Sequence, residues 1–288
     1  MSVDRSAQGL LALARDRLAT NSNTSSREAR LLLGHVLGRS EAQIFALGRE
    51  DLGEEDADRF LDLVARRAAG EPYAYLVGKR EFYGRSFVVD RRVLIPRPET
   101  ELLVEAALHG ELPQAAFVVD VGTGSGCIAL TLAAERPDLR VVGLDVSVAA
   151  LAVARENRRL LGLEDRVTLV GSDLLGGLGH AADVVVSNPP YVERSADLAP
   201  EVRDHEPARA LFVEGHGDGA TDALDAYRRL LDAPGALKPG GRLLVEIGYG
   251  QADALRALTP AGFAHRATHR DLADIERVLE WERDTSLW

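Results

Sequence analysis

The chain has 288 residues, 46% of them hydrophobic and 27% charged, a balance that excludes disordered and fibrous classes and predicts two domains or one large α/β domain. Its formal net charge of −11 opposes the long-range attraction to phosphate backbones on which most nucleic-acid binders rely, so no stable nucleic-acid binding is expected. No stretch approaches the roughly 20 consecutive apolar residues of a membrane span, and the first residues, with Asp4 and Arg5, lack a signal peptide's apolar run; a cytoplasmic protein with no membrane partner is expected. Cys127 is the only cysteine, which excludes an intrachain disulfide and a cysteine-based zinc site. The scattered histidines, His265 and His269 included, do not come with converging carboxylates, so no metal is expected. Arg85, Arg91, Arg92 and Arg97 read as arginines on a solvated face rather than as a basic patch.

From Arg5 to about Gly70 the pattern is helical. Ser25-Ser26-Arg27-Glu28 has the spacing of a capping box, followed by Ala29, Leu32, Leu33, Val36 and Leu37 at helical intervals. The acidic run Glu54-Glu55-Asp56 suits another helix start, with Phe60, Leu61, Val64, Ala65 and Ala68 as its apolar face and Gly70 as its stop. Phe82, Tyr83, Phe87, Val88 and Val89 around Gly84 predict a short β-hairpin, ending at Pro96-Arg97-Pro98-Glu99-Thr100-Glu101, where the prolines hold an extended backbone before a helix from about Thr100. The division expected is a helical bundle over residues 1–75 that recognises a protein substrate, a hairpin linker over 76–100, and an α/β domain over 101–288. In that domain strands are predicted at Phe117–Val121, Arg140–Asp145, Val167–Val170, Asp183–Ser187 and Arg242–Ile247, with helices at Val148–Leu161 and Leu224–Leu231. The alternation argues for a parallel sheet covered on both faces, and Ala264–Thr268 with Arg277–Trp281 reads as an antiparallel pair at the end.

Three elements at successive strand ends converge on one crevice. Gly122-Thr123-Gly124-Ser125-Gly126 follows the first strand and opens a helix; glycines there let the chain turn tightly and bring its amides to a ligand. A tight turn without a ligand is the plainer reading of that motif alone, and dinucleotide enzymes share it. Asp145, ending the second strand, can accept from both hydroxyls of a ribose, which serves NAD and S-adenosylmethionine alike. Ser172 and Asp173 after the third strand add polar groups where an adenine could be read. Cys127 reads as a small packing residue.

Ser187-Asn188-Pro189-Pro190-Tyr191 follows the apolar run Val184-Val185-Val186. Its two prolines allow neither a continued strand nor a helix start, so the backbone is held extended at the crevice. The Asn188 side-chain oxygen and the Pro189 carbonyl can each accept one N–H from a planar amide or aromatic amine, and Tyr191 can stack over that plane. These are the expected acceptor-site and catalytic residues: Asn188, Pro189 and Tyr191, with Pro190 lining the substrate.

On these motifs the chain resembles the bacterial release-factor glutamine methyltransferase family known as HemK or PrmC. The resemblance runs nearly end to end, through Glu71-Pro72-x-Ala74-Tyr75-Leu76, Phe82-Tyr83-Gly84, Ile95 to Glu101, Asp120 to Ala133, Ser187 to Tyr191, Leu237 to Gly241 and Glu246-Ile247-Gly248. It implies a class I methyltransferase, with a Rossmann-like seven-stranded sheet and a small N-terminal helical domain. The cofactor it implies is S-adenosylmethionine, held by Gly122 to Gly126, Asp145, Leu174 and Asn188. The activity it implies is methylation of the side-chain amide nitrogen of the glutamine in the Gly-Gly-Gln motif of peptide chain release factors, by a monomer. Two segments depart from the family: Glu214 to Gly219 with extra residues around Ala220–Ala223, and Asp271 to Arg277, which lacks the family's glycine. The alternatives are a ribosomal-protein glutamine methyltransferase, a nucleic-acid amino-methyltransferase, which the acidic charge opposes, and a binding module that only keeps the fold.

Overall fold

The computed structural model describes every residue except 1–3, 21–23, 111, 194, 213–222 and 286–288. The chain divides into two compact units, one of residues 1–78 with 198–205, the other of 79–197 with 206–288.

The first unit contains α1 (Ala7–Leu18), α2 (Ser25–Leu37), α3 (Glu41–Ala46), α4 (Glu54–Ala68) and α5 (Tyr73–Val77). Leu10, Leu32, Leu33, Phe60 and Val64 fill its core, and Ala57, Phe60 and Val64 lie on one stripe of α4 because residues three and four apart share a helix face. The capping box expected at Ser25–Glu28 does not form. Ser25 is already helical and Thr24 is the cap, without a side-chain bond to the backbone. The reciprocal pair is at Ser40 and Gln43 instead: the Gln43 amide donates to Ser40 Oγ at 3.3 Å and the Ser40 amide to Gln43 Oε1 at 2.8 Å. Arg67 is one tie to the residues that join this unit from far along the sequence. Its guanidinium donates to Glu28 Oε2 at 2.8 Å, to the Glu71 carbonyl at 3.1 Å and to Glu201 Oε2 at 2.8 Å. Burial works against that guanidinium's charge, and the Glu28 and Glu201 carboxylates outweigh it, so its pKa is raised.

The second unit begins with the hairpin β1 (Lys79–Phe82) and β2 (Arg85–Val88), whose turn places Tyr83 and Gly84 at positive φ. Phe82 and Phe87 are buried in the same apolar cluster as Leu103, Val118, Leu130 and Val184, so the hairpin expected as a linker is part of this unit's core. There follow α6 (Glu101–His109), β3 (Phe117–Val121), α7 (Cys127–Glu135), β4 (Arg140–Asp145), α8 (Val148–Leu160), β5 (Val167–Gly171), β6 (Ala182–Ser187), α9 (Pro200–His205), α10 (Ala208–Leu211), α11 (Asp225–Leu231), β7 (Leu237–Glu246), α12 (Ala252–Ala257), β8 (Phe263–Arg270) and β9 (Glu276–Arg283). Of these, α9 is not part of the second unit but a member of the first.

Seven strands form one sheet in the order β5-β4-β3-β6-β7-β9-β8. The first five run parallel, and β9 is antiparallel to both β7 and β8. Successive side chains on a strand face opposite ways, so on β6 Val184 and Val186 enter one core cluster and Val185 enters the other. The central strands β3 and β6 are thereby buried on both faces, and the polar carboxyl ends of the parallel strands are left at one rim. Between β8 and β9, where the family's glycine is missing, Asp274 takes the positive φ of 61°. Aspartate is among the few side chains that tolerate that region, and Asp271 braces the turn by accepting from the Ala273 and Ile275 amides and from Arg277. The other departure, Glu214 to Gly219 and the following Ala220–Ala223, lies outside the described residues up to position 222.

Candidate active site

The glycine turn is shaped by φ values of 74°, 56° and 83° at Gly122, Gly124 and Gly126, a region that residues with a β-carbon adopt only under strain. A β-carbon on Gly122 or Gly124 would meet nothing closer than 3.9 Å, whereas one on Gly126 would press on Leu130 at 2.9 Å. The first two glycines thus leave an open cradle and the third lets α7 pack. Asp120 braces the turn from beneath: it accepts from Thr123 Oγ1 at 2.6 Å and from the Ala129 amide at 3.1 Å. Full burial pushes its carboxyl up to about 7, and its second oxygen has no partner among the described residues. Asn157 on α8 ties the turn to the hairpin by donating to the Ser125 carbonyl at 2.9 Å and by exchanging bonds with both backbone groups of Val88.

Asp145 stands at the end of β4, next to this cradle. Its carboxylate accepts from the Gly124 amide at 2.9 Å and the Ser147 amide at 2.8 Å; burial raises its pKa and those two bonds act against the rise. Val146, half exposed beside it, offers an apolar face that the sequence reading did not single out. Ser172 is turned into its own loop, donating to the Leu174 carbonyl at 3.0 Å and accepting from the Gly177 amide at 2.7 Å. Asp173 points to solvent in an ion pair of 2.6 Å with Arg229. Leu174 has a positive φ of 46° and packs against the sheet. An open cavity of about 810 Å³ is lined by residues 171–181 with Arg229, Ala233, Gly235 and Ala236; neither the glycine turn at 122–126 nor Asn188 lines it. Cys127 is buried and its thiol is pushed up to about 12, which makes it inert as a nucleophile.

Asn188 follows β6, next to β3 in the sheet, and its carbonyl comes within 4.0 Å of where a β-carbon on Gly122 would stand. The Ser187 hydroxyl donates to the Val121 carbonyl at 2.8 Å, locking the two strand ends together. The Asn188 amide nitrogen donates to Thr100 Oγ1 at 3.2 Å, which leaves its oxygen free to accept. Tyr191 is held by Gln251, which donates to the Tyr191 carbonyl at 3.3 Å and accepts from the Gly248 amide at 2.8 Å. Burial raises the Tyr191 phenol to about 12, so it is neutral at any working pH. The proline segment that carries Thr100 is pinned by Glu206, which is buried and accepts from the Ile95 amide at 3.1 Å and from Arg97 at 2.6 Å. Glu246, at the end of β7, is buried with its carboxyl raised to about 7 by that burial. Thr100, Glu206 and Glu246 were not singled out as site residues from the sequence. His265 and His269 both lie on β8; His269 bonds Glu280 and His265 bonds Thr268.

The strand order, the glycine turn after β3 and the carboxylate ending β4 define a class I methyltransferase. The comparisons agree. Residues 9–78 match the family described as PrmC N-terminal domain and residues 98–204 the one described as methyltransferase small domain. A release factor glutamine methyltransferase from Cereibacter sphaeroides is 43% identical over 96% of this chain and 97% of its own length. Those from Nitratidesulfovibrio vulgaris and Burkholderia pseudomallei are 41% and 46% identical over 94% and 87% of this chain and 93% and 90% of their own. A solved methyltransferase from Pyrococcus furiosus superposes with a TM-score of 0.53 at 15% identity, over 81% of this chain and 100% of that one, a likeness of fold alone. The chain belongs to the release factor glutamine methyltransferase family.

Proposed function

We propose that the protein transfers a methyl group from S-adenosylmethionine to the side-chain amide nitrogen of a glutamine in peptide chain release factors, in the cytoplasm, as part of translation termination. The observation that carries this reading is the Asn188 amide, its nitrogen donating to Thr100 and its oxygen without a hydrogen bond among the described residues, directly after the strand β6 that pairs with β3. Gly122, Thr123, Gly124, Ser125 and Gly126 would cradle the cofactor and Asp145 would accept from its ribose, with Ser172, Asp173 and Leu174 toward its base; the open space at Gly122 and Gly124 and the carboxylate beside them fit that molecule. When bound, it supplies a methyl group on a positively charged sulfur.

Asn188 Oδ1 and the Pro189 carbonyl each accept one N–H of the glutamine amide, which fixes the nitrogen and turns its lone pair toward the cradle. Pro190 holds the backbone extended and neutral Tyr191 covers the amide plane. The amide proton needs no base before transfer, because the methylated nitrogen is cationic and sheds it to water. The helical unit, whose Phe45 stands exposed on α3, supplies contacts remote from the reacting amide, which a glutamine side chain common to all proteins requires for selectivity.

Radiolabelled methyl transfer to purified release factor, with ribosomal protein and an oligonucleotide as competing acceptors, tests the assignment. Release factor should be the preferred acceptor. Asn188→Ala should slow its methylation on the order of a hundredfold or more with S-adenosylhomocysteine affinity little changed, and full turnover in that variant removes Asn188 from the role.

A further inference from the structure

Two prolines leave the segment from Ile95 to Thr100 short of backbone donors, because Pro96 and Pro98 carry no N–H. Residues 94–97 join no helix or strand, so side chains must hold what a ladder of amides cannot. Glu206 does this by biting across Pro96: its Oε2 accepts from the Ile95 amide at 3.1 Å and its Oε1 from Arg97 at 2.6 Å. The grip then passes along the chain. The Arg97 carbonyl accepts from the Thr100 amide at 3.1 Å, and Thr100 Oγ1 accepts from the Asn188 amide nitrogen at 3.2 Å. The Glu206 side chain is 1% exposed and Thr100 2%, so water has little access to either end of this chain of contacts.

The same short segment holds the other arm of the acceptor site. Pro207 follows Glu206 and caps α10. At that helix's end the Leu211 carbonyl accepts from the Val192 amide at 3.1 Å, and Val192 forms a parallel bridge with Phe212. Val192 directly follows Tyr191. Residues 206–212 therefore grip the proline segment at one end and the exit of Asn188-Pro189-Pro190-Tyr191 at the other, and the bond between Asn188 and Thr100 closes the ring.

We propose that Glu206 is a positioning residue for methyl transfer, which fixes through Arg97 and Thr100 where the Asn188 amide stands; the role rests on the reading of Asn188 as the group that holds the acceptor nitrogen. A carboxylate suits this place. Its two oxygens accept at once from donors on both sides of Pro96, whereas a neutral amide has one oxygen for two donors. Displacing the group that holds a reacting atom by about 1 Å costs on the order of a hundredfold in rate. Both bonds of Glu206 lead to the proline segment, not to the glycine turn or Asp145, so its loss reaches turnover and spares the cofactor.

Turnover and cofactor affinity, measured on the same variants, test this clip. Glu206→Ala should lower kcat for release factor roughly tenfold to a hundredfold, while calorimetry finds S-adenosylhomocysteine affinity within about threefold of the wild type. Glu206→Gln keeps one acceptor and should lose less, roughly threefold to tenfold in kcat; it carries the test where the alanine variant does not fold. Thr100→Val keeps the shape, removes the hydroxyl and should also slow turnover. Joining it to either Glu206 change should slow the enzyme little beyond the slower single variant, because both cut one chain of contacts. In the 15N-labelled protein the Asn188 side-chain amide resonances should shift in Glu206→Gln. Asn188→Ala serves as the reference, and full activity there overturns the reading of Asn188 itself. An inactive Asn188→Ala beside wild-type kcat in the Glu206 variants, losses that multiply in the double variant, or a fall in cofactor affinity as large as the fall in kcat overturns the clip alone.

Discussion

Two glutamates on neighbouring strands have opposite fates. Glu246 ends β7 and Glu280 lies on β9, one pair of rungs apart in the same ladder, since Glu246 pairs with Val278 and Leu244 with Glu280. Their burial is nearly equal, at 2% and 3% exposure. Burial acts to raise both carboxyls, yet Glu280 ends at about 2 and Glu246 at about 7. The difference is the partners. Glu280 receives Arg242 at 2.7 Å, His269 at 3.0 Å and Arg266 at 3.4 Å; Glu246 Oε2 is buried with no hydrogen-bond partner among the described residues. A buried charge whose lone pairs are filled serves the fold. One left short of partners costs the fold free energy, and in a site aimed at a ligand that cost marks function.

The largest expected effect is on the filled side. Arg242 also donates to the Ala106 and Ala107 carbonyls at the end of α6, so Glu280 neutralises a buried guanidinium that ties helix to sheet. Glu280→Ala should strand that cation and lower stability by about 3–5 kcal/mol, read as a drop in the denaturation midpoint. The wild-type contribution has a defined pH window: the folded carboxyl ionises near 2 and the unfolded one near about 4.3, so the stabilisation is complete above the higher value and is lost as pH falls through the lower. A Glu280→Ala protein as stable as the wild type at neutral pH would erase the contrast.

Glu246 should show the reverse sign. Its folded carboxyl keeps its proton up to about 7, so between the ordinary glutamate value and that point the folded state binds more protons than the unfolded one, and stability falls as pH rises. Glu246→Gln does not titrate, and the gap in unfolding free energy between variant and wild type should shift in the variant's favour between pH about 5 and about 8, by on the order of 3 kcal/mol. Parallel stability curves for the two proteins over that range would mean that the carboxyl is satisfied after all.

The same contrast explains what the sequence disclosed. The five parallel strands, the glycine turn and the proline-bounded Asn188 were legible because each is written in neighbouring residues: apolar runs, glycines at a turn, prolines that stop a strand. The partners that make the site work are remote. Thr100 and Asn188 are 88 positions apart, and Ile95 and Glu206 are 111 apart, and no period or spacing announces either pair. Glu246 was legible only as part of the motif Glu246-Ile247-Gly248, with nothing in its neighbours to say that it would be buried, and the Glu201 to Arg67 bond, 134 positions long, hid the membership of α9 in the helical unit. The misplaced capping box is the local version of the same limit: Ser25-to-Glu28 and Ser40-to-Gln43 fit one spacing rule, and packing decides which serine stands outside its helix.

Asp145 falls between the two glutamates and gives the smallest of these effects. Burial raises its carboxyl, as for Glu246, but two backbone amides, Gly124 and Ser147, hold it in place. Those bonds orient the carboxylate without exhausting it, since two oxygens offer about four acceptor positions. The remaining ones are available to a pair of ribose hydroxyls beside the open faces of Gly122 and Gly124. Asp145→Ala should therefore remove about 1.5–3 kcal/mol of charge-assisted hydrogen bonding from cofactor binding, roughly tenfold to a hundredfold in affinity for S-adenosylhomocysteine. Its thermal midpoint should change little, because desolvating the charge and the two amide bonds offset each other in the fold. Calorimetry and a melting curve on the same variant separate the two outcomes. A large loss of stability with unchanged affinity would place Asp145 with Glu280, as a brace for the glycine turn rather than a ligand for the ribose.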